Sequence, residues 1–126
     1  MTLWKIRLEL ARDPEFPDGS ARHGYELVAP LDAEGHLDAA GWRAQRSRCR
    51  VRRFWAGEAD EIGHLAHHGT GWAFHYDIAG DASKDEPGWR LGSHLFRVGE
   101  YLSVREQDDR LRTFRVVDLR PAPPIP

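Results

Sequence analysis

The chain has 126 residues, of which 40% are hydrophobic and 30% charged, and its formal net charge is -2. This size suits one domain with a single core, and the apolar share excludes a disordered chain. The small net charge gives no global attraction to nucleic acid or to an anionic membrane. No apolar run is long enough to cross a bilayer, and a single cysteine permits no internal disulfide. We therefore expect a cytoplasmic protein with one domain over residues 1–120 and a proline-rich tail over residues 121–126.

The N-terminal part of the chain predicts two strands and a long connection. Apolar and charged residues alternate from residue 4 to residue 10, the period of two expected of a strand with one face on the core. Residues 13–24 contain two prolines and Gly19, which favours an irregular connection. A second strand is predicted over residues 25–29. The residues assigned to the core face of the first strand are Trp4, Ile6, Leu8 and Leu10.

One short helix is predicted after Asp38, and it runs to about residue 48. Aspartate is a favoured N-cap residue, and Trp42 and Cys49 follow it seven positions apart, near one face of the helix. Gly41 weakens the helix by about 1 kcal/mol relative to alanine, so packing of Trp42 onto the sheet must compensate. Cys49 is expected to be packed and chemically inert.

A third strand is predicted over residues 51–55, and a hairpin of residues 62–68 and 72–78 follows it around a turn with two glycines. The alternation in the second arm places its aromatic residues on the core. In the first arm either Leu65 or the pair of Ile62 and Ala66 could face inward. We choose Leu65 because it is the largest apolar side chain in the centre of the run. The aromatic face consists of Trp72, Phe74 and Tyr76, followed by Ile78.

The clearest hairpin spans residues 98–119. Matching its apolar faces places Val104 opposite Phe114 and Leu102 opposite Val116, with a three-residue loop at residues 108–110. Before this hairpin, residues 79–88 are predicted as a mobile surface loop and residues 89–96 as a poor strand.

These elements predict a mainly β fold with one short helix. The expected architecture is a strongly bent antiparallel sheet or small β-barrel of about seven strands, closed partly by pairing of the first and last strands. An exposed edge strand would allow a homodimer by sheet extension.

Histidines provide the sharpest chemical pattern. On the hairpin register chosen above, His64 and His75 are cross-strand neighbours, and Asp77 lies two positions along the same face. Three such side chains suit an open zinc or iron site, and an enzyme built on it would use the histidines as ligands and the aspartate as ligand or base. The favoured alternative is ordinary surface histidines with no metal. No HExxH motif accompanies the pattern.

A second pattern is a run of arginines from Arg43 to Arg53 with aromatic residues at its ends. Arg50, Arg52 and Trp55 are its candidate ligand-binding residues, because cations beside aromatic rings bind phosphates and stack on bases. Arg50 and Arg52 face away from Arg53, so the arginines form no single patch. A solvated charged surface is therefore the favoured interpretation, and nucleic-acid binding the weaker one.

The remaining features indicate a binding protein. Five tryptophans could line a small-molecule cavity, although aromatic residues usually fill a small barrel. None of the serines lies in a G-x-S-x-G motif, and no acid, base and nucleophile are brought together by spacing. The sequence predicts a binding or interaction module without catalytic activity of its own, with an unidentified protein or small-molecule partner and no resident cofactor.

Overall fold

The computed structural model describes residues 2–69, 71–76, 86–89, 91–106 and 110–123, except for the side chains of residues 68 and 86–89. In this part of the chain eight strands and one short helix form a mainly β fold, which confirms the predicted fold class. The strands are β1 (Leu3–Leu10), β2 (Ser20–Pro30), β3 (Arg50–Trp55), β4 (Glu61–His68), β5 (Gly71–Tyr76), β6 (Glu86–Trp89), β7 (Tyr101–Arg105) and β8 (Leu111–Pro121). The helix α1 (Ala39–Gln45) continues into a 3-10 turn (Arg46–Arg48), and a second 3-10 turn (Leu91–Ser93) follows β6.

Each strand pairs antiparallel with the next one along the chain, and β8 also pairs with β1, so the strand order closes into a barrel. Lys5 of β1 lies opposite Val28 of β2 on one side and Arg120 of β8 on the other. The predicted pairing of the first and last strands is therefore confirmed. Because each strand has two neighbours, a dimer formed by sheet extension would have to open this ring.

Two glycines allow the sheet to curl tightly. A Cβ atom on Gly24 would lie 2.0 Å from the Leu8 carbonyl oxygen and 3.0 Å from the Phe54 ring. A Cβ atom on Gly63 would lie 1.9 Å from the His75 carbonyl oxygen. No side chain fits at either place, so glycine is required where neighbouring backbones approach this closely.

Helix α1 covers one end of the barrel. The Asp38 carboxylate accepts a hydrogen bond from the Gly41 amide at 3.1 Å, as expected of an N-cap. Trp42 is buried, donates its indole N–H to the Leu65 carbonyl at 2.8 Å, and meets Trp72 edge-on. The predicted helix and its contact with the sheet are confirmed. This end of the barrel is closed by apolar packing.

Aromatic rings fill the barrel interior. Tyr25 lies against Phe74 and Phe114 with ring centroids 4.9 and 5.0 Å apart. Leu65 is completely buried and Ile62 is exposed, which confirms the choice made between them. The chosen faces of β1 and β5 are also confirmed, with the exception that Trp4 is only partly buried. Ile78, the last residue of the predicted aromatic face, lies outside the described residues.

The predicted connection over residues 13–24 is wrong in its second half, because β2 begins at Ser20. Asp13 and Phe16 exchange two backbone hydrogen bonds of 2.9 and 3.1 Å, which confine the proline-rich part to a short turn. Gly19, at φ 73, then reverses the chain. Ser20 can therefore pair with Leu10, several residues before the predicted start of the strand.

The predicted register of the C-terminal hairpin is wrong by two residues. Leu102 pairs with Phe114, and Val104 pairs with Arg112. A shift of two residues leaves each side chain on the same face of its strand, so the predicted apolar residues are still buried. The apolar pattern was a poor guide because Arg112 is an inward-facing charged residue. The loop at residues 107–109 lies outside the described residues.

The segment before this hairpin also differs from the prediction. Residues 86–88, predicted as part of a loop, belong to β6, and residues 91–93 form a 3-10 turn. The rest of the predicted loop, residues 79–85, lies outside the described residues. In the region predicted as a proline-rich tail, β8 includes Pro121, and the Ala122 amide donates to the Leu3 carbonyl at 2.8 Å.

In the described part of the chain, no helix has the length and apolar composition that a membrane crossing needs.

Candidate functional site

A network of charged side chains occupies the end of the barrel opposite α1. We call this end the mouth; it is lined by Glu15, Arg53, Trp55, Glu58, Glu106, Arg110 and Arg112, and it opens into a cavity of about 450 Å³.

Glu106 is the centre of the mouth. Its side chain is 3% exposed and accepts hydrogen bonds from the Tyr25 hydroxyl at 2.5 Å and from Arg53 Nε at 3.1 Å. Its second oxygen lies 3.1 Å from Arg112 Nε. These contacts join strands β2, β3 and β8 to the end of β7, so the network links both halves of the barrel.

The arginines of the mouth are neutralised by carboxylates of this chain. Arg112 contacts Asp13 at 3.1 Å and Glu15 at 3.0 Å, and Glu15 also binds Arg110. Burial works against the charged form of Arg112, but its acidic neighbours outweigh burial and raise its pKa. Arg53 lies 3.4 Å from Glu58 in addition to its contact with Glu106. We interpret the mouth as a structural network that holds the barrel together.

An aromatic layer lies beside this network. Trp55 has the guanidinium of Arg53 4.4 Å and that of Arg112 5.2 Å from its ring centroid. His23 is buried between Trp55 and Phe16, with ring centroids 4.5 and 4.4 Å away. Burial lowers the pKa of His23, and nearby arginines lower it further. The imidazole is therefore neutral at neutral pH.

A second cavity is a groove on the outer face of β7 and β8. This β8 groove has a volume of about 730 Å³ and is lined by residues 9–12, residues 17–21, Tyr101, Thr113, Arg115 and Val117. The β8 residues alternate with the buried Arg112, Phe114 and Val116, which places Thr113, Arg115 and Val117 outside the barrel.

The β8 groove differs from the mouth in its charges. Among the described residues, Arg12 and Arg115 have no carboxylate partner, whereas Glu9 is engaged by Arg7 at 2.9 Å. Asp18 adds one carboxylate to the groove. Tyr101, which is 54% exposed, lies directly across from Arg115. The groove therefore combines two arginines that form no ion pair with any described carboxylate and an accessible aromatic ring.

The predicted histidine pair is present. His64 lies opposite His75, and their ring centroids are 5.1 Å apart. Asp77, the third predicted ligand, lies outside the described residues. No group of three or more metal-ligating side chains occurs in the part of the chain that the structure describes.

The predicted ligand residues Arg50, Arg52 and Trp55 lie in two different places. Arg50 is exposed on the outer face, opposite His64, and Arg52 binds Glu26 and Asp60 on that face. Trp55 lies at the mouth. Burial opposes ionisation of Glu26, but the hydrogen bond and the charge of Arg52 hold its pKa below its usual range.

Cys49 is completely buried, and burial raises the pKa of its thiol to about 11. This agrees with the expected inert cysteine.

Comparison of the chain with protein-family models, with curated proteins and with solved structures found no match.

Sequence reasoning missed the β8 groove. Arg12, Tyr101 and Arg115 come from three separate parts of the chain, and no spacing pattern connects them. The one sequence signal for this groove is that Tyr101 and Arg115 fall on the polar, exposed faces of their predicted strands.

Proposed function

We propose that this protein is a binding module that takes a small anion with an aromatic ring into the β8 groove. The observation that carries the proposal is the combination of Arg12 and Arg115, without carboxylate partners among the described residues, with the exposed ring of Tyr101 in one groove.

The chemistry of these side chains selects the ligand. The planar guanidinium of arginine matches phosphate and carboxylate oxygens and donates paired hydrogen bonds to them. An exposed tyrosine ring offers a face for stacking, which contributes about 1 kcal/mol beyond the area that it buries. A phosphate or carboxylate would bind Arg115 and Arg12, and the attached ring would stack on Tyr101.

The size of the groove supports a small ligand. Ligand cavities usually have volumes between roughly 300 and 1,000 Å³, and the β8 groove, at about 730 Å³, is within this range. The mouth is a poorer candidate, because a ligand there would have to displace carboxylates that already neutralise its arginines.

Phenyl phosphate is a direct probe of this proposal, and isothermal titration calorimetry measures its affinity. Arg115→Ala removes charge-assisted hydrogen bonds and should weaken binding about tenfold. Tyr101→Ala should weaken it about fivefold through loss of stacking. Arg43→Ala is the matched control, because Arg43 is an exposed arginine on α1, at the closed end of the barrel.

The expected affinity is in the millimolar range or tighter and decreases with added salt, because the groove is exposed to solvent. Equal affinities of the Arg115→Ala and Arg43→Ala variants would refute the proposal.

A second candidate function is metal binding by His64 and His75, favoured by the 5.1 Å separation of their rings in a cross-strand pair. Imidazole nitrogens bind zinc, copper and nickel well. Titration with Zn²⁺ should raise the melting temperature of the protein, and the rise should be absent in the His64→Ala, His75→Ala double variant. An equal rise in both proteins would exclude this pair as the ligands.

The proposal also keeps the expected cytoplasmic location, which is supported by the single, buried cysteine and the consequent lack of any internal disulfide.

A further inference from the structure

Ser20 and His23 form a close pair at the β8 groove. The Ser20 hydroxyl lies 2.6 Å from His23 Nδ1, and Ser20 itself lines the groove. Local sequence patterns do not indicate this pair, because they predict an irregular connection over residues 13–24. The start of β2 at Ser20 and the burial of His23 bring the two side chains together.

Two hydrogen bonds meet at the Ser20 hydroxyl, one from the backbone and one shared with His23. The Arg22 amide donates to Ser20 Oγ at 3.1 Å, so the oxygen is an acceptor in that contact. In the His23 tautomer that carries its proton on Nε2, Nδ1 accepts the Ser20 hydroxyl proton across this 2.6 Å contact. Burial and nearby arginines lower the pKa of His23, so the imidazole is uncharged at neutral pH and can accept a proton.

Packing holds the imidazole in place. Phe16 and Trp55 both contact its ring and also meet each other edge-on, and the residue is 7% exposed. A serine hydroxyl that donates to a fixed, neutral histidine is the arrangement by which a weak oxygen nucleophile is activated.

We propose that Ser20 is a nucleophile that accepts one acyl group from a small acyl phosphate bound in the β8 groove. The acyl phosphate class rests on the proposed function, since Arg12 and Arg115 would hold the phosphate; the reactivity of Ser20 rests on His23 alone.

The reaction balances within this site. Ser20 Oγ attacks the acyl carbon and forms an ester bond as its proton passes to His23 Nδ1. The bond between the acyl carbon and the phosphate oxygen breaks, and its electron pair leaves with the phosphate. The phosphate then takes the proton from His23, which restores the neutral imidazole. One acyl group is transferred per chain, and no further reactant is needed.

The test incubates the whole protein separately with acetyl phosphate and with p-nitrophenyl acetate, an activated ester that lacks a phosphate. Intact mass and peptide mapping then locate the acetyl group. We expect one acetyl ester on Ser20 with each reagent and none on that position in Ser20→Ala. Arg115→Ala should slow the reaction with acetyl phosphate about tenfold, whereas Arg43→Ala should not.

A pH profile tests His23 without a variant that could unfold its aromatic cluster. The rate of Ser20 acetylation should fall as the pH is lowered through the range in which His23 gains a proton, because the protonated imidazole cannot accept the hydroxyl proton.

The outcomes separate this inference from the proposed function. Absence of acetyl-Ser20 with both reagents overturns the inference, even if phenyl phosphate binds. Acetylation of Ser20 by p-nitrophenyl acetate but not by acetyl phosphate confirms the nucleophile and overturns the acyl phosphate as its donor. An acetylation rate independent of pH across the His23 range overturns the role of His23.

Discussion

The substitution Glu106→Gln tests the interpretation of the mouth as a structural network. It removes the negative charge from a side chain that is 3% exposed and faces two guanidinium groups and the Tyr25 hydroxyl. Breaking a buried ion pair by removing one partner costs about 3–5 kcal/mol. Arg112 keeps Asp13 as a partner and Arg53 keeps Glu58, so we expect the lower end of that range, about 3 kcal/mol.

Urea denaturation followed by tryptophan fluorescence measures this loss. With an m-value of about 1.5 kcal/mol/M, a loss of about 3 kcal/mol lowers the midpoint by about 2 M without changing the slope. Glu58→Gln is the matched control, because its side chain is 59% exposed and contacts Arg53 at 3.4 Å. Such exposed pairs contribute about 0–1 kcal/mol. Equal destabilisation by the two variants would refute the structural role of Glu106.

Three further predictions concern other parts of the barrel. Burial and nearby arginines lower the pKa of His23, so the unfolded chain binds more protons below about pH 6.5 and the stability of the protein falls as the pH decreases through that window. In urea melts at pH about 7.5 and 5.5, His23→Asn should lose this part of the pH dependence. An unchanged dependence would contradict the lowered pKa of His23. The buried thiol of Cys49 should react with Ellman's reagent only as fast as the protein unfolds, and rapid labelling of the native protein would contradict its burial. Gly24→Ala should lower the free energy of unfolding by about 3 kcal/mol in urea melts, because its Cβ would overlap the Leu8 carbonyl. The control Gly57→Ala, whose Cβ meets nothing within 4 Å, should lower it by only about 1 kcal/mol through backbone strain. Equal losses would show that the close backbone approach at Gly24 does not limit the size of its side chain.

Alternation of apolar residues was enough to predict the architecture. Ile6, Leu8 and Leu10 point inward as their spacing requires, and the choice of Leu65 over Ile62 correctly placed His64 opposite His75. These predictions worked because each depends only on which side of a strand a residue occupies, a property that the local sequence determines.

Features that depend on buried charge could not be predicted in this way. Arg112 and Glu106 occupy inward positions that a hydrophobic pattern assigns to apolar residues, and this is why the register of β7 and β8 was wrong by two. A buried charge is tolerated only when its partners are present. Two of the partners of Arg112, Asp13 and Glu15, lie almost a hundred positions away in the sequence.

The candidate sites were missed for a similar reason. Ser20 and His23 are close in the sequence, but their pairing depends on the start of β2 and on the rings of Phe16 and Trp55 around the imidazole. The β8 groove depends on the closure of β1 against β8. Tertiary contacts, rather than local spacing, create both sites.

Titration of ¹⁵N-labelled protein with phenyl phosphate, followed by two-dimensional NMR, tests the proposed binding role most directly. We predict saturable shifts confined to amides around the β8 groove, such as those of Tyr101, Thr113 and Arg115. Shifts centred on the mouth or on α1, or no saturable shift at millimolar ligand, would contradict a ligand site in this groove.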